Sequence, residues 1–202
     1  MSGRRRSAPD GGGALSALLL LAAMVAVMWI VELADGPLDG RLDQLGIEPK
    51  RIDGLLGIPF APFLHTGVSH LATNTVPLLI LGSIIAVSGL RVFTFVTVTT
   101  GLLAGLGTWA TADEGTIHIG ASGIVFGYAS YLMVRGLYTR RALDLLVGVI
   151  VIAVYGATML VSFEARPGIS WQGHLFGAMG GVLAAALIDR DQERRAARPP
   201  AR

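Results

Sequence analysis

The sequence has no cysteine and little charge. Without cysteine among the 202 residues, disulfide bonds, thiolate nucleophiles and cysteine-ligated metals are all excluded. Charged residues make up only 15% of the chain, whereas a soluble domain typically carries about 25%. Hydrophobic residues reach 52%, and the mean hydropathy is +0.62. This composition is typical of a chain that is solvated by lipid.

The basic residues fall in separate clusters. The net charge is +2 and the isoelectric point is near 9.4, but the arginines concentrate at 4–6, 140–141 and 190–202, at the ends of apolar runs. A nucleic-acid site needs basic side chains along one folded surface, so this distribution argues against a nucleic-acid partner. The clusters are better interpreted as signals that orient membrane helices.

Long uncharged runs are abundant. The first extends from Ala14 to Val31, which is longer than the core of a signal peptide, and no clear cleavage site follows it. Each run is near the roughly 20 residues that cross the hydrocarbon core of a bilayer. The sequence therefore predicts an all-α polytopic membrane protein, with helices at about 14–34, 69–88, 92–112, 122–138, 143–161 and 171–188.

Positive charge differs between the links that join these helices. Arginines occur in the 2–3 and 4–5 links and in both tails, whereas the 3–4 and 5–6 links together hold only Arg166. The positive-inside rule then places both termini in the cytoplasm, a parity that six crossings satisfy. We expect an integral protein of a bacterial-type plasma (inner) membrane, with a disordered tail at 1–13 and a basic tail at 189–202.

Few polar side chains lie inside the predicted helices, and each is a functional candidate because lipid makes it costly. They are His70 and Asn74 in helix 2, Ser122 at the start of helix 4 and His174 in helix 6. Even-numbered helices all run from outside to inside, so these groups lie at a similar depth below the outer surface. His70 and Asn74 are four residues apart and therefore share one helix face.

Glycines at four-residue spacing predict a close contact between helices 4 and 6. The spaced glycines are Gly123, Gly127, Gly177 and Gly181. Small residues at this spacing let membrane helices approach closely. Such a contact would bring Ser122 towards hydrogen-bonding distance of His174.

A serine beside a histidine suggests nucleophilic catalysis. A neutral imidazole can take a hydroxyl proton near pH 7, so Ser122 is the candidate nucleophile and His174 the candidate general base. A tetrahedral intermediate needs donors for its oxyanion. The ring N–H of His70, the amide of Asn74 and the unpaired backbone N–H groups in the first turn of helix 4 can supply them. We expect no cofactor and no metal, because the pair His65 and His70 lacks a visible third ligand.

At these residues the sequence resembles the rhomboid family of intramembrane proteases. The matching segments are His-Leu-Ala-Thr-Asn at 70–74, Gly-Ala-Ser-Gly at 120–123 and His-Leu-Phe-Gly at 174–177. They stand in helices 2, 4 and 6, as in that family, and the likeness covers roughly residues 50–190. The resemblance implies a six-helix rhomboid-like bundle.

The resemblance also implies an activity. Ser122 and His174 would form a dyad that hydrolyses a peptide bond in or next to the transmembrane segment of single-span proteins, near the extracytoplasmic side. His70, Asn74 and the Ser122 backbone N–H would bind the oxyanion. The resemblance places Phe126 where many relatives stack a tyrosine on the catalytic histidine. The partners it implies are membrane-protein substrates and the surrounding lipids.

Two features of many bacterial relatives are missing from this sequence. The connection between helices 1 and 2 lacks a Trp-Arg pair, and residues 83–89 at the inner end of helix 2 contain no acid. Both features support the fold rather than the chemistry. His65 matches a further, structural histidine of the family. His118, in the acidic 3–4 loop, is interpreted as a solvated residue.

Two other classes of protein stay open at this point. A catalytically inactive rhomboid-like protein would bind transmembrane clients without cleaving them, although such relatives usually lack the serine or the histidine. A small transporter would place its ionisable groups at the midplane, often within internal repeats. Here the polar cluster is off-centre and no repeat is present.

Overall fold

A computed structural model describes residues 11–164 and 170–197, and six α-helices account for most of them. The helices are α1 (Gly11–Asp35), α2 (Val68–Ala86), α3 (Leu90–Thr111), α4 (Ser122–Thr139), α5 (Ala142–Ser162) and α6 (Trp171–Ala197). The described residues contain no strand, and a single isolated bridge pairs Ile47 with His118. The predicted all-α, six-helix fold class is confirmed.

The helix bounds differ from the predicted ones mainly at the two ends of the chain. α1 begins at Gly11, so the last residues of the predicted tail at 1–13 are helical. α6 continues to Ala197 and takes in most of the predicted tail at 189–202. Charged residues can extend this helix because they need no burial once it has left the apolar layer. The remaining parts of both predicted tails lie outside the described residues.

α4 occupies the centre of the bundle. Eleven of its 18 residues are buried, and it packs against α2, α3, α5 and α6. Within the described ranges, the other five helices are long and apolar enough to cross a membrane, whereas α4 falls outside that set. Its glycines, serines, tyrosines and Arg135 leave it without the long apolar stretch that each of the other five helices contains. The surrounding helices shield it from lipid and so allow this composition.

The backbones of α4 and α6 are in direct contact along the predicted glycines. A methyl group at Gly177 would overlap the carbonyl oxygen of Gly123, and one at Gly181 would overlap that of Gly127. Ser130 strengthens the contact, because its hydroxyl donates to the carbonyl of Ala178 in α6 at 2.7 Å. This packing fixes the register of the two helices.

The connection between α1 and α2 forms four short 3₁₀ helices and folds onto the C-terminal end of α3. Its apolar residues Ile47, Ile58 and Ala61 make a small core. Trp109 of α3 packs there and donates its indole N–H to the carbonyl of Arg51 at 2.7 Å. This connection has no tryptophan of its own, and a tryptophan from α3 anchors it instead.

An ion pair at the opposite end of the bundle joins α4 to α5. The Arg135 guanidinium lies 3.5 Å from the Asp144 carboxylate, and both side chains are mostly buried. Arg135 also donates to the hydroxyl of Ser88 in the 2–3 link at 2.8 Å. At this end of the bundle, an acid of α5 thus pairs with the arginine of α4.

Candidate active site

Ser122 and His174 face each other where α4 and α6 begin. The Nε2 atom of His174 lies 2.9 Å from the Ser122 hydroxyl oxygen. Ser122 is the first residue of α4, directly after a turn in which Gly120 takes a φ of +111°, a value that favours glycine. His174 is the fourth residue of α6. The same two helices that meet at the glycines therefore also bring a serine and a histidine within hydrogen-bonding distance.

The other ring nitrogen of His174 fixes its tautomer. Nδ1 lies 3.0 Å from the backbone carbonyl oxygen of Ser162, at the end of α5. A carbonyl only accepts hydrogen bonds, so Nδ1 carries the proton and Nε2 is free to accept from the Ser122 hydroxyl. The sequence gives no sign of this partner, because any residue at position 162 would present the same carbonyl.

Aromatic rings hold the His174 imidazole from one side. Phe126 stacks on it with ring centroids 4.2 Å apart and planes only 4° from parallel. Phe163, just past the end of α5, packs edge-on against Phe126 with centroids 5.8 Å apart. Sequence reasoning placed Phe126 at the histidine but missed Phe163, which directly follows the long apolar segment of α5 and carries no distinguishing signal.

His70 lies beside Gly120, immediately before the serine. The Thr66 backbone N–H donates to Nδ1 of His70 at 3.4 Å, and the Thr66 hydroxyl lies 3.2 Å from the same atom. Because Nδ1 accepts, the neutral ring carries its proton on Nε2. That nitrogen faces the Gly120 backbone, where an added Cβ would lie 3.0 Å from it. His70 therefore presents an N–H next to the start of α4.

Asn74 lies one turn further along α2 and is only 5% exposed. Its amide nitrogen donates to the backbone carbonyl of His70 at 2.9 Å, within its own helix. An amide has two N–H groups, so this bond leaves one of them available. Asn74 thus lines the site, but one of its N–H groups is used within its own helix. The His70 ring N–H, in contrast, faces the turn directly before the serine.

A cavity of about 1180 Å³ connects these groups. One part is polar and includes Thr66, Asp113 and Thr116 beside the serine and the two histidines. Another part is apolar and is lined by side chains of α2 and α5, among them Val76, Val154 and Met159. The serine and the histidines therefore share one cavity with polar loop residues and with apolar side chains of α2 and α5.

His65 supports the start of α4 through a hydrogen bond with the residue before Ser122. It is 2% exposed, and its Nε2 accepts the backbone N–H of Ala121 at 3.4 Å. Its ring packs edge-on against His70 with centroids 5.0 Å apart. Burial lowers the pKa of His65 to about 4, with the neighbouring His70 adding to the effect. The ring is neutral near pH 7 and contributes to structure.

His118 is partly buried, so its interpretation as a solvated loop residue is wrong. Its Nδ1 lies 2.8 Å from the Ser170 hydroxyl, and its Nε2 lies 2.9 Å from that of Thr116. Burial lowers the pKa of His118, and the nearby Asp113 partly offsets this. Sequence proximity to acidic residues suggested solvation, but the ring contacts Ser170, the residue immediately before α6.

Comparison with known proteins identifies relatives of this chain. The Rhomboid domain family model matches residues 54–190. "Uncharacterized protein Rv1337" of Mycobacterium tuberculosis is 43% identical over 178 residues, which are 84% of this chain and 74% of that protein. "Uncharacterized protein ML1171" of Mycobacterium leprae is 40% identical over 178 residues, 84% of this chain and 70% of its own length.

A more distant relative is named for an activity. "Putative rhomboid protease YdcA" of Bacillus subtilis is 28% identical over 133 residues, 65% of this chain and 66% of that protein. The fold and the site define an integral membrane protein built from a helical bundle, with a serine and a histidine paired inside it. The chain belongs to the rhomboid family, as its sequence motifs predict.

Proposed function

We propose that this protein is an intramembrane serine endopeptidase that uses Ser122 as the nucleophile and His174 as the general base. The observation that carries the proposal is the 2.9 Å contact between the Ser122 hydroxyl and His174 Nε2. The bond from Nδ1 to the Ser162 carbonyl adds to it, because it keeps Nε2 unprotonated. A neutral imidazole so oriented can take the serine proton as the hydroxyl attacks.

The reaction starts with attack of the Ser122 oxygen on the scissile carbonyl carbon. The serine proton passes to His174 Nε2, and the carbonyl oxygen becomes an oxyanion. His174 then gives that proton to the leaving amine as the peptide bond breaks, which leaves an acyl-enzyme. A water molecule entering through the polar part of the cavity, activated by the same histidine, hydrolyses the ester and restores the serine.

The oxyanion is stabilised by N–H groups that surround the serine. Ser122 is the first residue of α4, so its backbone N–H has no partner within the helix. The Nε2–H of His70 points towards the same turn, and Asn74 offers its second amide N–H. Donors placed in advance around developing charge typically supply the largest share of such catalysis.

The substrates we propose are single-span membrane proteins, cut near their extracytoplasmic end. The apolar part of the cavity suits a segment that arrives from lipid, and the polar part suits the water that hydrolysis consumes. Both termini of the enzyme would be cytoplasmic, in a bacterial-type plasma membrane, as the arginine distribution predicts.

Replacement of each dyad member tests the proposal. Ser122→Ala and His174→Ala should each abolish cleavage of a model single-span protein by the purified enzyme in liposomes. The double variant should be no slower than either single one, because the two residues act as a unit. A fluorophosphonate probe should label the wild-type protein and leave Ser122→Ala unlabelled.

Ser69→Ala is the matched control, since Ser69 is an exposed serine at the outer end of α2. It should keep both cleavage and labelling. Substantial turnover by Ser122→Ala would exclude the proposed mechanism. A wild-type protein that binds a client and neither cleaves it nor reacts with the probe would instead be an inactive rhomboid-like protein.

A further inference from the structure

We propose that His118 and Ser170 are positioning residues, which fasten the start of α6 to the 3–4 loop and thereby hold His174 against Ser122. The contact consists of the 2.8 Å approach between His118 Nδ1 and the Ser170 hydroxyl. It lies on the wall of the same cavity as the reacting pair. The inference rests on the proposed function, because it concerns the alignment of the proposed general base.

The loop side of this contact is firmly held. The backbone of His118 exchanges two hydrogen bonds with Ile47, each 3.0 Å long. The N–H of Gly120 donates to the carbonyl of Ala61 at 2.8 Å. Gly46 packs so closely on this loop that a methyl group there would collide with the side chains of its neighbours. The 1–2 connection therefore supplies a rigid base for the His118 ring.

The polarity of the hydrogen bonds is also fixed. The Thr116 hydroxyl donates to the carbonyl of Asp113 at 2.5 Å, so its oxygen can only accept from the His118 ring. His118 Nε2 is then the protonated nitrogen, and Nδ1 accepts from the Ser170 hydroxyl. The hydrogen bonds therefore all run in one direction: Ser170 donates to His118, His118 donates to Thr116, and Thr116 donates to the Asp113 carbonyl.

Ser170 lies immediately before α6 and is hydrogen-bonded to its first turn. Its carbonyl accepts the backbone N–H of His174 at 3.2 Å. The first N–H groups of a helix have no partners within it, so the first turn opens more easily than the interior. The tightest backbone contacts of α6 with α4, at Gly177 and Gly181, lie beyond His174, and Gly173 approaches Gly123 less closely before it. A second tie at Ser170 therefore fixes the histidine from the other side.

Loss of this tie should reduce turnover more than substrate binding. Misplacement of a catalytic group by about 1 Å can cost on the order of 10²-fold in rate. For Ser170→Ala and His118→Ala we expect kcat to fall between about 10- and 100-fold, with KM little changed. The double variant should be no slower than either single variant, because both remove one contact. Ser170→Thr keeps the hydroxyl and should restore kcat.

Thr111→Ala is the matched control. It also removes a hydroxyl near the outer end of the bundle, but among the described residues that hydroxyl donates to the carbonyl of Gly107 in its own helix. Its kcat should stay at the wild-type value. Thermal unfolding in detergent should give similar midpoints for Ser170→Ala and Thr111→Ala, which separates misalignment from misfolding.

The histidine rings provide a readout that does not depend on activity. The chain has only four histidines, so ¹⁵N-histidine NMR in detergent resolves each ring once single histidine variants have assigned them. Ser170→Ala should shift the ring signals of both His118 and His174, and Ser170→Thr should return them.

Two results would overturn the inference: a shift confined to His118, or wild-type kcat in both alanine variants. Failure of the proposed protease function looks different, because the wild-type protein would then neither cleave a client nor react with the fluorophosphonate probe.

Discussion

His70 and Asn74 share one face of α2, yet they are held in different ways. The Nε2–H of His70 points towards the turn before Ser122, whereas the Asn74 amide is partly occupied by a bond to its own helix. Removal of one oxyanion donor typically costs about 10²–10³-fold in kcat. We expect a loss of that size for His70→Ala and a smaller one, about tenfold, for Asn74→Ala.

The rates should be measured at saturating substrate in liposomes, with Thr73→Ala as the control on the same helix turn. Thr73 is exposed, and its hydroxyl donates to the His70 carbonyl. A larger loss in Asn74→Ala than in His70→Ala would show that the Asn74 amide rotates away from its helix when substrate binds and becomes the main donor.

Buried His65 makes folding stability depend on pH. Its pKa is about 4 in the folded protein, compared with an ordinary value of 6.5. Between these values the unfolded chain binds a proton that the folded chain excludes, so stability falls as the pH falls from 6.5 to about 4. This difference between the folded and ordinary pKa values corresponds to a loss of about 3 kcal/mol in the free energy of unfolding. Protonation would also end the acceptance of the Ala121 N–H by Nε2.

His65→Gln should flatten this pH dependence, because its side-chain carbonyl can still accept from Ala121 but does not titrate. Unfolding midpoints measured in detergent at pH 7 and pH 4.5 should differ less in the variant than in the wild-type protein. Equal differences in the two proteins would assign the pH dependence to other groups.

The sequence predicts which side chains meet at this site better than it predicts what orients them. Ser122, His174 and His70 are rare polar residues in apolar helices, so their depth and order can be read from hydropathy. The Ser162 carbonyl belongs to the backbone and carries no residue-specific signal. The ring of His118 meets Ser170 across 52 residues of sequence, and neither residue stands out in a polar loop.

At the scale of helices, the backbone contact between α4 and α6 determines whether the site exists. A methyl group at Gly181 would overlap the Gly127 carbonyl and the Ser130 hydroxyl. Overpacking of a close contact typically costs about 1–3 kcal/mol. We expect Gly181→Ala to lower the unfolding midpoint in detergent and to slow cleavage, because α6 carries His174.

Gly156→Ala offers a matched control in α5. The nearest atom that a methyl group would meet is 3.7 Å away, on the side chain of Ile152 in the same helix. Replacement of glycine by alanine in an open helical position is neutral or favourable. Equal unfolding midpoints for Gly181→Ala and Gly156→Ala would contradict the prediction, because they would show that α4 and α6 can move apart without loss of stability.

Helices were predictable where hydrophobicity alone defines them. Six apolar runs predicted six helices, and the largest errors fall at Gly11 and Ala197, beyond the apolar parts. The 3₁₀ helices between α1 and α2 were not predictable, since their shape depends on contacts with Trp109 and the 3–4 loop. The pairing of Arg135 with Asp144 likewise joins residues whose proximity only the packed bundle creates.

For the molecule as a whole, the common level of the reacting groups predicts where a substrate is cut. His70, Ser122 and His174 are the third, first and fourth residues of their helices. A transmembrane helix hides its carbonyls in its own hydrogen bonds, so a client must unwind before Ser122 can attack. Gly and Pro weaken a helix and should therefore promote cleavage when they lie near its outer end.

The test is to move a Gly-Pro pair along the transmembrane segment of a model client and to map each cut by mass spectrometry. Cleavage should be fastest with the pair near the extracytoplasmic end, and the cut should stay at that level. A cut at the cytoplasmic end, or a rate that ignores the position of the pair, would contradict the proposed site of action.

The enclosed position of α4 also bears on how the protein enters a membrane. A nascent helix is accepted into lipid according to its own apolarity, and α4, unlike the five other helices, falls short of what a spanning segment needs. Its Arg135 gains its ion-pair partner only after α5 has been made, because Asp144 lies in that later helix. We therefore expect α4 to insert together with its neighbours, so that the segment that carries the serine reaches its final place late in biogenesis.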